Sequence, residues 1–303
     1  MRTVTLALLT GITLGWLPTA RAADLDYGVL RGSDYEPAST EIDWNGGYFG
    51  GHAGYSSAAL GFNNAFQPIV ASALSQTYFE NEMHASGLLQ THSTRTEGAS
   101  YGAFAGWNYQ FDETVIGIEV DYTSFGRTGA SNNYISRFMV GTDGFFRSVG
   151  LEGTSSTRIE DFGTIRARAG YTMGAFLPFV TGGLAIGRAQ IADQVKIQAA
   201  EYDQTTYRAN LGLSDPRQAA VVSHSGYSSF NAQNPGRSTL AAPVTYGSSK
   251  TKVVGGIALG AGLEYALTQN IILRGEYQYV LFNDFDGHKV NLNTVRGGAA
   301  VKF

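Results

Sequence analysis

The stretch TVIGIEVDYTS, residues 114–124, decides the fold. Ile116, Ile118, Val120 and Tyr122 recur at every second position, and Gly117, Glu119, Asp121 and Thr123 occupy the positions between. A period of two is a β-strand pattern, with one set of side chains on each face. One face is therefore continuously apolar, and the other carries two carboxylates. The fold turns on which of the two faces points inward.

The same alternation recurs along the chain. TIRARAGYTM (164–173) sets Ile165, Ala167, Ala169 and Tyr171 against Arg166, Arg168 and Gly170. VVGGIALGAGLEYAL (253–267) sets Ile257, Leu259, Leu263 and Tyr265 against Gly260, Gly262 and Glu264. IILRGEYQYVLF (271–282) sets Ile271, Leu273, Tyr277 and Tyr279 against Arg274, Glu276 and Gln278. TVRGGAAVKF (294–303) sets Val295, Gly297, Ala299 and Val301 against Arg296. Weaker alternation in 47–55, 100–110 and 178–187 brings the expected total to eight strands. Pro178 is acceptable because it opens its strand.

The connections alternate in length. Segments 111–113, 174–175 and 268–270 are tight, whereas 56–99, 126–160 and 190–250 are long and polar and 283–292 is intermediate. Short turns on one side and long loops on the other fit an antiparallel up-and-down transmembrane barrel with extracellular loops. In a soluble sheet the apolar face would turn inward. Three features favour the membrane form. The polar faces consist mostly of Gly and Ala interrupted by charges, which suits the filling of a narrow tube. Aromatics gather at the strand ends, with Tyr109, Phe111, Tyr171, Tyr265 and Phe303 near the turns and Tyr55, Tyr101, Tyr122 and Tyr279 near the loops. An export signal supplies the route: Arg2, an apolar run from Val4 to Leu17, Pro18 and then Ala20-Arg21-Ala22 predict cleavage before Ala23.

The expected organisation is a signal peptide over 1–22, a periplasmic lead over 23–43 and a barrel over 44–303. Charged residues make up only 15% of the chain, below the roughly 25% of soluble domains. Loss of the signal removes Arg2 and Arg21 and no acid, which deepens the formal charge of −4. No basic run of nucleic-acid type occurs, so that class of partner is set aside. Without cysteine the chain has no disulfides and no thiolate chemistry.

With the apolar faces toward lipid, Glu119, Asp121, Arg166, Arg168, Glu264, Arg274, Glu276 and Arg296 point into the lumen. A buried charge requires a partner, and an eight-stranded barrel has room only for side chains. The expectation is a salt-bridged plug, with Glu119 and Arg168 at nearly the same height. A small-solute porin is the alternative. A catalytic His–Ser or His–acid arrangement is not evident: His52 falls on a strand, and His84, His92, His224 and His288 fall in loops. No metal-ligand spacing is present. His84, His92 and His224 lie among loop tyrosines, and haem iron accepts His or Tyr, so haemin binding is a further alternative. Long loops on a rigid scaffold usually bind partners.

YGAFAGWNYQFDETVIGIEVDY (101–122), TIRARAGYTMGAFLPFVTGGLAIG (164–187), LGAGLEYALTQNIILRGEYQYVLF (259–282), WNGGYFGG (44–51) and the closing VKF resemble the RopB-type family of small alphaproteobacterial outer-membrane barrels. That family includes major surface antigens of Brucella and rhizobia and haemin-binding proteins of Bartonella. The resemblance implies an OmpA-type transmembrane barrel in the Gram-negative outer membrane, without a peptidoglycan-binding domain and without catalytic residues. It also implies roles in envelope integrity and in contacts with host or surface ligands. The implied partners are outer-membrane lipid, lipopolysaccharide and the assembly machinery. That machinery would read Phe303 as a terminal aromatic assembly signal.

Overall fold

The computed structural model describes residues 42–303. The expected signal peptide and all but the last two residues of the expected lead lie outside the described residues. Eight long strands follow one another: β1 Gly46–Phe62, β2 Thr94–Phe111, β3 Thr114–Val140, β4 Phe145–Tyr171, β5 Phe176–Asp203, β6 Val244–Ala266, β7 Ile271–Phe285 and β8 His288–Lys302. Each pairs antiparallel with its neighbours in sequence, and β1 closes on β8 from Tyr48↔Lys302 to Phe62↔His288. Closure is what lipid demands, because an open edge there would leave backbone groups unpaired. Tight turns join β2–β3, β4–β5 and β6–β7 at one end, and Gly174 takes φ +65° in the second of them.

The facing follows the alternation. Ile116, Ile118, Val120, Leu184, Leu259, Leu273 and Val301 are exposed on the outer wall, while Glu119, Arg166, Glu264 and Arg296 are buried inside. This inversion of a soluble barrel gives the outer wall an apolar belt and identifies the solvent around it as lipid.

Above the belt the polarity changes sides while the strands continue. On β8 the outward residues change from Val301, Ala299, Gly297 and Val295 to Asn293, Asn291 and Lys289, and the inward ones from Arg296 and Thr294 to Leu292 and Val290. The strands therefore run far beyond the boundaries expected from sequence. Most of 126–160 is a paired hairpin closed by the turn 141–144, and 283–292 is two strands joined by Asp286-Gly287. Once apolar residues face inward and polar ones outward, the pattern that marks a membrane strand is lost, although the period of two persists.

β3, β4, β5 and β6 are the tall strands. β3 has no ladder partner on its β2 side above Ser124, and β6 has none on its β7 side before Gly256. The tall parts form a four-stranded sheet above the lower rim made by the other strands. The segment between β1 and β2 carries α1 (Gln67–Ala73) and α2 (Tyr78–Asn81). It lays Phe66, Val70, Leu74 and Phe79 on Val149, Leu151, Val195 and Ile197 of the sheet's inner face. Between β5 and β6 lie α3 (Gln204–Leu211) and a short pairing of Tyr227–Ser229 with Thr239–Leu240.

Candidate functional site

The strand register brings the inward charges of the membrane section to one level. Glu119 lies directly opposite Arg166, and Gly117 opposite Arg168. Arg168, expected at nearly the height of Glu119, is offset from it by one inward position, and their charged atoms are 3.8 Å apart. Arg166 Nη2 donates to Glu119 Oε1 at 2.6 Å, Nη1 bonds Thr181 Oγ1 at 3.0 Å, and the same nitrogen pairs with Glu276 on β7. Arg168 Nη2 donates to Glu264 Oε2 at 2.8 Å. Arg274 reaches Glu264 Oε1 through Nε at 2.8 Å and Glu119 Oε2 through Nη1 at 2.7 Å. Arg296 joins Asp121 at 2.7 Å and Glu276 at 2.9 Å.

Two further residues complete the network. The Tyr48 hydroxyl donates to Glu119 Oε2 at 2.8 Å and accepts from Arg168 at 2.9 Å, and His52 Nε2 lies 3.0 Å from Asp121 Oδ2. Their even spacing sets both on one face of β1, which is buried, but nothing in the sequence marks these contacts. Arg274 also lies over the Phe104 ring at 4.1 Å, and Arg168 over Phe179 at 4.5 Å. Every strand thus contributes a side chain, and the pairs β3–β7 and β4–β7 cross the lumen. Four guanidiniums face four carboxylates, so their formal charges cancel. Such a layer tolerates burial because every charge has a partner of opposite sign.

Glycine provides the room. A Cβ on Gly260 would come within 2.8 Å of Glu276 Oε1 and 2.5 Å of Thr181 Oγ1, and one on Gly106 within 2.4 Å of the Tyr48 hydroxyl. The missing side chains on the inner wall are the space that the long charged ones occupy.

Apolar layers lie on both sides of the ions. Toward the tight turns, Trp44, Tyr48, Phe104, Leu177 and Ile272 pack together, with Trp44 fully buried. Toward the tall sheet, Leu60, Phe62, Phe125, Phe162, Phe282 and Leu292 form a second layer. Between the ions and this second layer, Ser56 bonds Ser100 and Thr294, both at 2.7 Å.

The histidines are spread out. His84 caps a short helical turn, His92 lies beside β3 where its backbone N–H bonds Ser131 at 3.0 Å, and His224 pairs with Tyr202 at the top of β5. All three are exposed, and no hydrogen bond or ring contact among the described residues joins any two of them. His288, expected in a loop, begins β8 and is fully buried. Its Nδ1 lies 2.6 Å from Thr157 Oγ1, and its Nε2 lies 3.2 Å from Asp193 Oδ2. Phe303 is exposed at the turn end, its N–H bonds the Gly47 carbonyl at 3.0 Å, and its ring lies 6.2 Å from that of Phe49.

A closed ring with an apolar outer belt and an ionic interior is the geometry of an outer-membrane barrel. The family model "Outer membrane protein beta-barrel domain" matches residues 115–303. The chain belongs to that family. It is 30% identical to the 31 kDa outer-membrane immunogenic protein of Brucella melitensis over 98% of both chains. It is 27% identical to the 25 kDa outer-membrane immunogenic protein of Brucella ovis over the full length of both. Among solved structures, Neisserial surface protein A superposes with a TM-score of 0.34 at 13% identity, covering 86% of this chain and 98% of that one. This member of the barrel family is an outer-membrane protein akin to those immunogenic proteins.

Proposed function

We propose that the protein is a sealed, non-catalytic surface barrel that braces the outer membrane and presents its tall sheet and the 204–243 segment to the exterior. The observation that carries this reading is the charge layer held between two apolar layers. An ion entering the lumen would have to cross packed rings on either side and displace a guanidinium from its carboxylates. That favours a plug over a small-solute porin. Catalysis is disfavoured because Thr157, the hydroxyl beside His288, is fully buried and out of reach of a substrate. The immunogenic relatives fit a surface-presenting role, and lipid and lipopolysaccharide are the partners that an apolar belt requires.

Planar-bilayer recording tests the seal. The purified protein is expected to show no stable unitary openings, and Arg168→Ala is expected to raise the leak. Stable openings by the unaltered protein would overturn the proposal. Phe303 is assigned to recognition during assembly. Its exposure at the turn end fits a contact made outside the folded barrel. Deletion of Phe303 is expected to lower surface levels while barrels refolded in detergent keep near-normal stability, and unchanged surface levels would refute this role.

A further inference from the structure

Beyond the seal, β6 carries an unused backbone edge. From Val244 to Gly255 it pairs only with β5, because β7 joins it no higher than Phe282↔Gly256. Among the described residues no backbone hydrogen bond reaches the other side of this stretch. Val244 to Thr251 are all exposed, including Tyr246, Ser248 and Lys250, which share the inward facing of Val254. On the neighbouring β5, Val195 and Ile197 are buried under the helical segment. The filling of the concave face therefore stops short of β6. Two adjoining clefts of about 510 and 520 Å³ remain, both lined by Pro68 and Ile69 of the α1 segment and sharing β6 as their other wall.

We propose that this edge takes up an extended peptide of another protein as an added strand. Its place is the one β7 would fill if it were as long as β6, directly above the Asp286-Gly287 turn. An unpaired strand edge is a template for another strand, and backbone bonds to it supply affinity without fixing sequence. Lysines often guard such edges. Here Lys252 and Lys250 are drawn to Asp286, at 2.6 and 3.7 Å. The occupant is a single chain and not a second barrel. The vacant position lies on this barrel's own circumference, where the wall of another barrel would collide with the lower rim.

The groove also sets the chemistry of the guest. Side chains of an added strand alternate between the concave side and solvent. Those facing inward meet Pro68 and Ile69 along the groove, then Asp193, Asp284 and Asp286 at its floor. Three carboxylates there exceed the two lysines. The fitting peptide alternates apolar and polar residues and carries a basic residue at its membrane-proximal end. The proposal is independent of the lumenal seal, so bilayer recordings do not bear on it.

The test selects linear peptides from a random displayed library against the full protein purified in detergent micelles. The selected peptides are then synthesised, and backbone amide exchange is measured with and without them. The expected result is alternating apolar sequences with a terminal Lys or Arg, which slow exchange at alternate amides within Val244–Gly255. Extending the β7–β8 hairpin by inserted strand residues fills the position and is expected to weaken binding at least roughly tenfold. If that variant does not fold, the exchange map of the unaltered protein decides. Binders that protect other segments, or a selection without binders, overturn the proposal. So does protection of this edge that appears without peptide and grows with protein concentration, because the occupant would then be a second copy.

Discussion

Arg166 has no exposed side-chain surface and holds carboxylates from β3 and β7 at once. Truncating it would leave four buried carboxylates to three guanidiniums, with Glu119 held chiefly by Arg274 and Glu276 chiefly by Arg296. Removing one partner of a buried pair costs about 3–5 kcal/mol, and Arg166→Ala is expected to destabilise the folded barrel by about that amount. Urea titration of folding in lipid vesicles measures it. A loss below about 1 kcal/mol, the scale of a solvated surface pair, would mean that water screens the layer. At this scale much was legible in the sequence. Parity along the strands put every charge of the network on the inward face, because a lipid-facing charge would have broken the alternation. The exact partners were not legible, since a shift of one inward position exchanges Arg166 for Arg168 opposite Glu119. Tyr48 was hidden because an inward tyrosine reads as packing, and Gly260 because a space leaves no chemical signature.

The tip of the β3–β4 hairpin shows how an element above the membrane is pinned. Arg147, nearly fully buried, bonds both Asp143 oxygens at 2.8 and 2.6 Å, bonds Glu201 of β5 at 2.7 Å, and lies over the Tyr78 ring of α2 at 4.1 Å. The hydrogen bond from Arg147 is the main cause that holds the Asp143 carboxyl at about 2, below its ordinary 3.8. The carboxylate is favoured in the folded tip, so its contribution is complete above 3.8 and fades as pH falls toward about 2. The protection of amides 141–147, taken relative to the intrinsic exchange rate at each pH, is expected to fall across that window, and the fall is expected to vanish in Asp143→Asn. A flat profile in the unaltered protein would contradict the role of Asp143. Sequence gave little access to these elements. Above the belt the outward positions become Asn, Lys and Ser and the inward ones Leu and Val, so a reading tuned to lipid-facing strands takes 126–160 for loop. The α1–α2 segment was equally obscure, because its short helices are held by the sheet beneath them more than by their own periodicity.

On the scale of the whole molecule, the two solvents divide one tube. Within lipid the wall is apolar outside and ionic inside, and beyond lipid the same strands carry the opposite arrangement. A strand of 27 or 28 residues, as in β3, β4 and β5, is far longer than the roughly 9–11 residues needed to cross the hydrocarbon. In the proposed orientation the excess stands outside the cell, and this changes what a protease can reach. Proteases cut unpaired chain, and ladder-paired backbone resists them even where its side chains are solvated. Trypsin added to intact cells is therefore expected to cut after Arg217 and Arg237, which lie between α3 and β6. Arg137 and Arg158, in paired tall strands, are expected to survive, although a loop reading of 126–160 would expose both. A protease specific for Glu is expected to spare Glu113 in the β2–β3 turn, which the proposed orientation puts on the periplasmic side. Peptide mapping by mass spectrometry reads all of these sites in one experiment. Early cuts at Arg137 or Arg158 would show that the tall hairpin is not a stable sheet on the cell surface. A cut at Glu113 in unbroken cells would reverse the orientation, and with it the assignment of the tall sheet to the exterior.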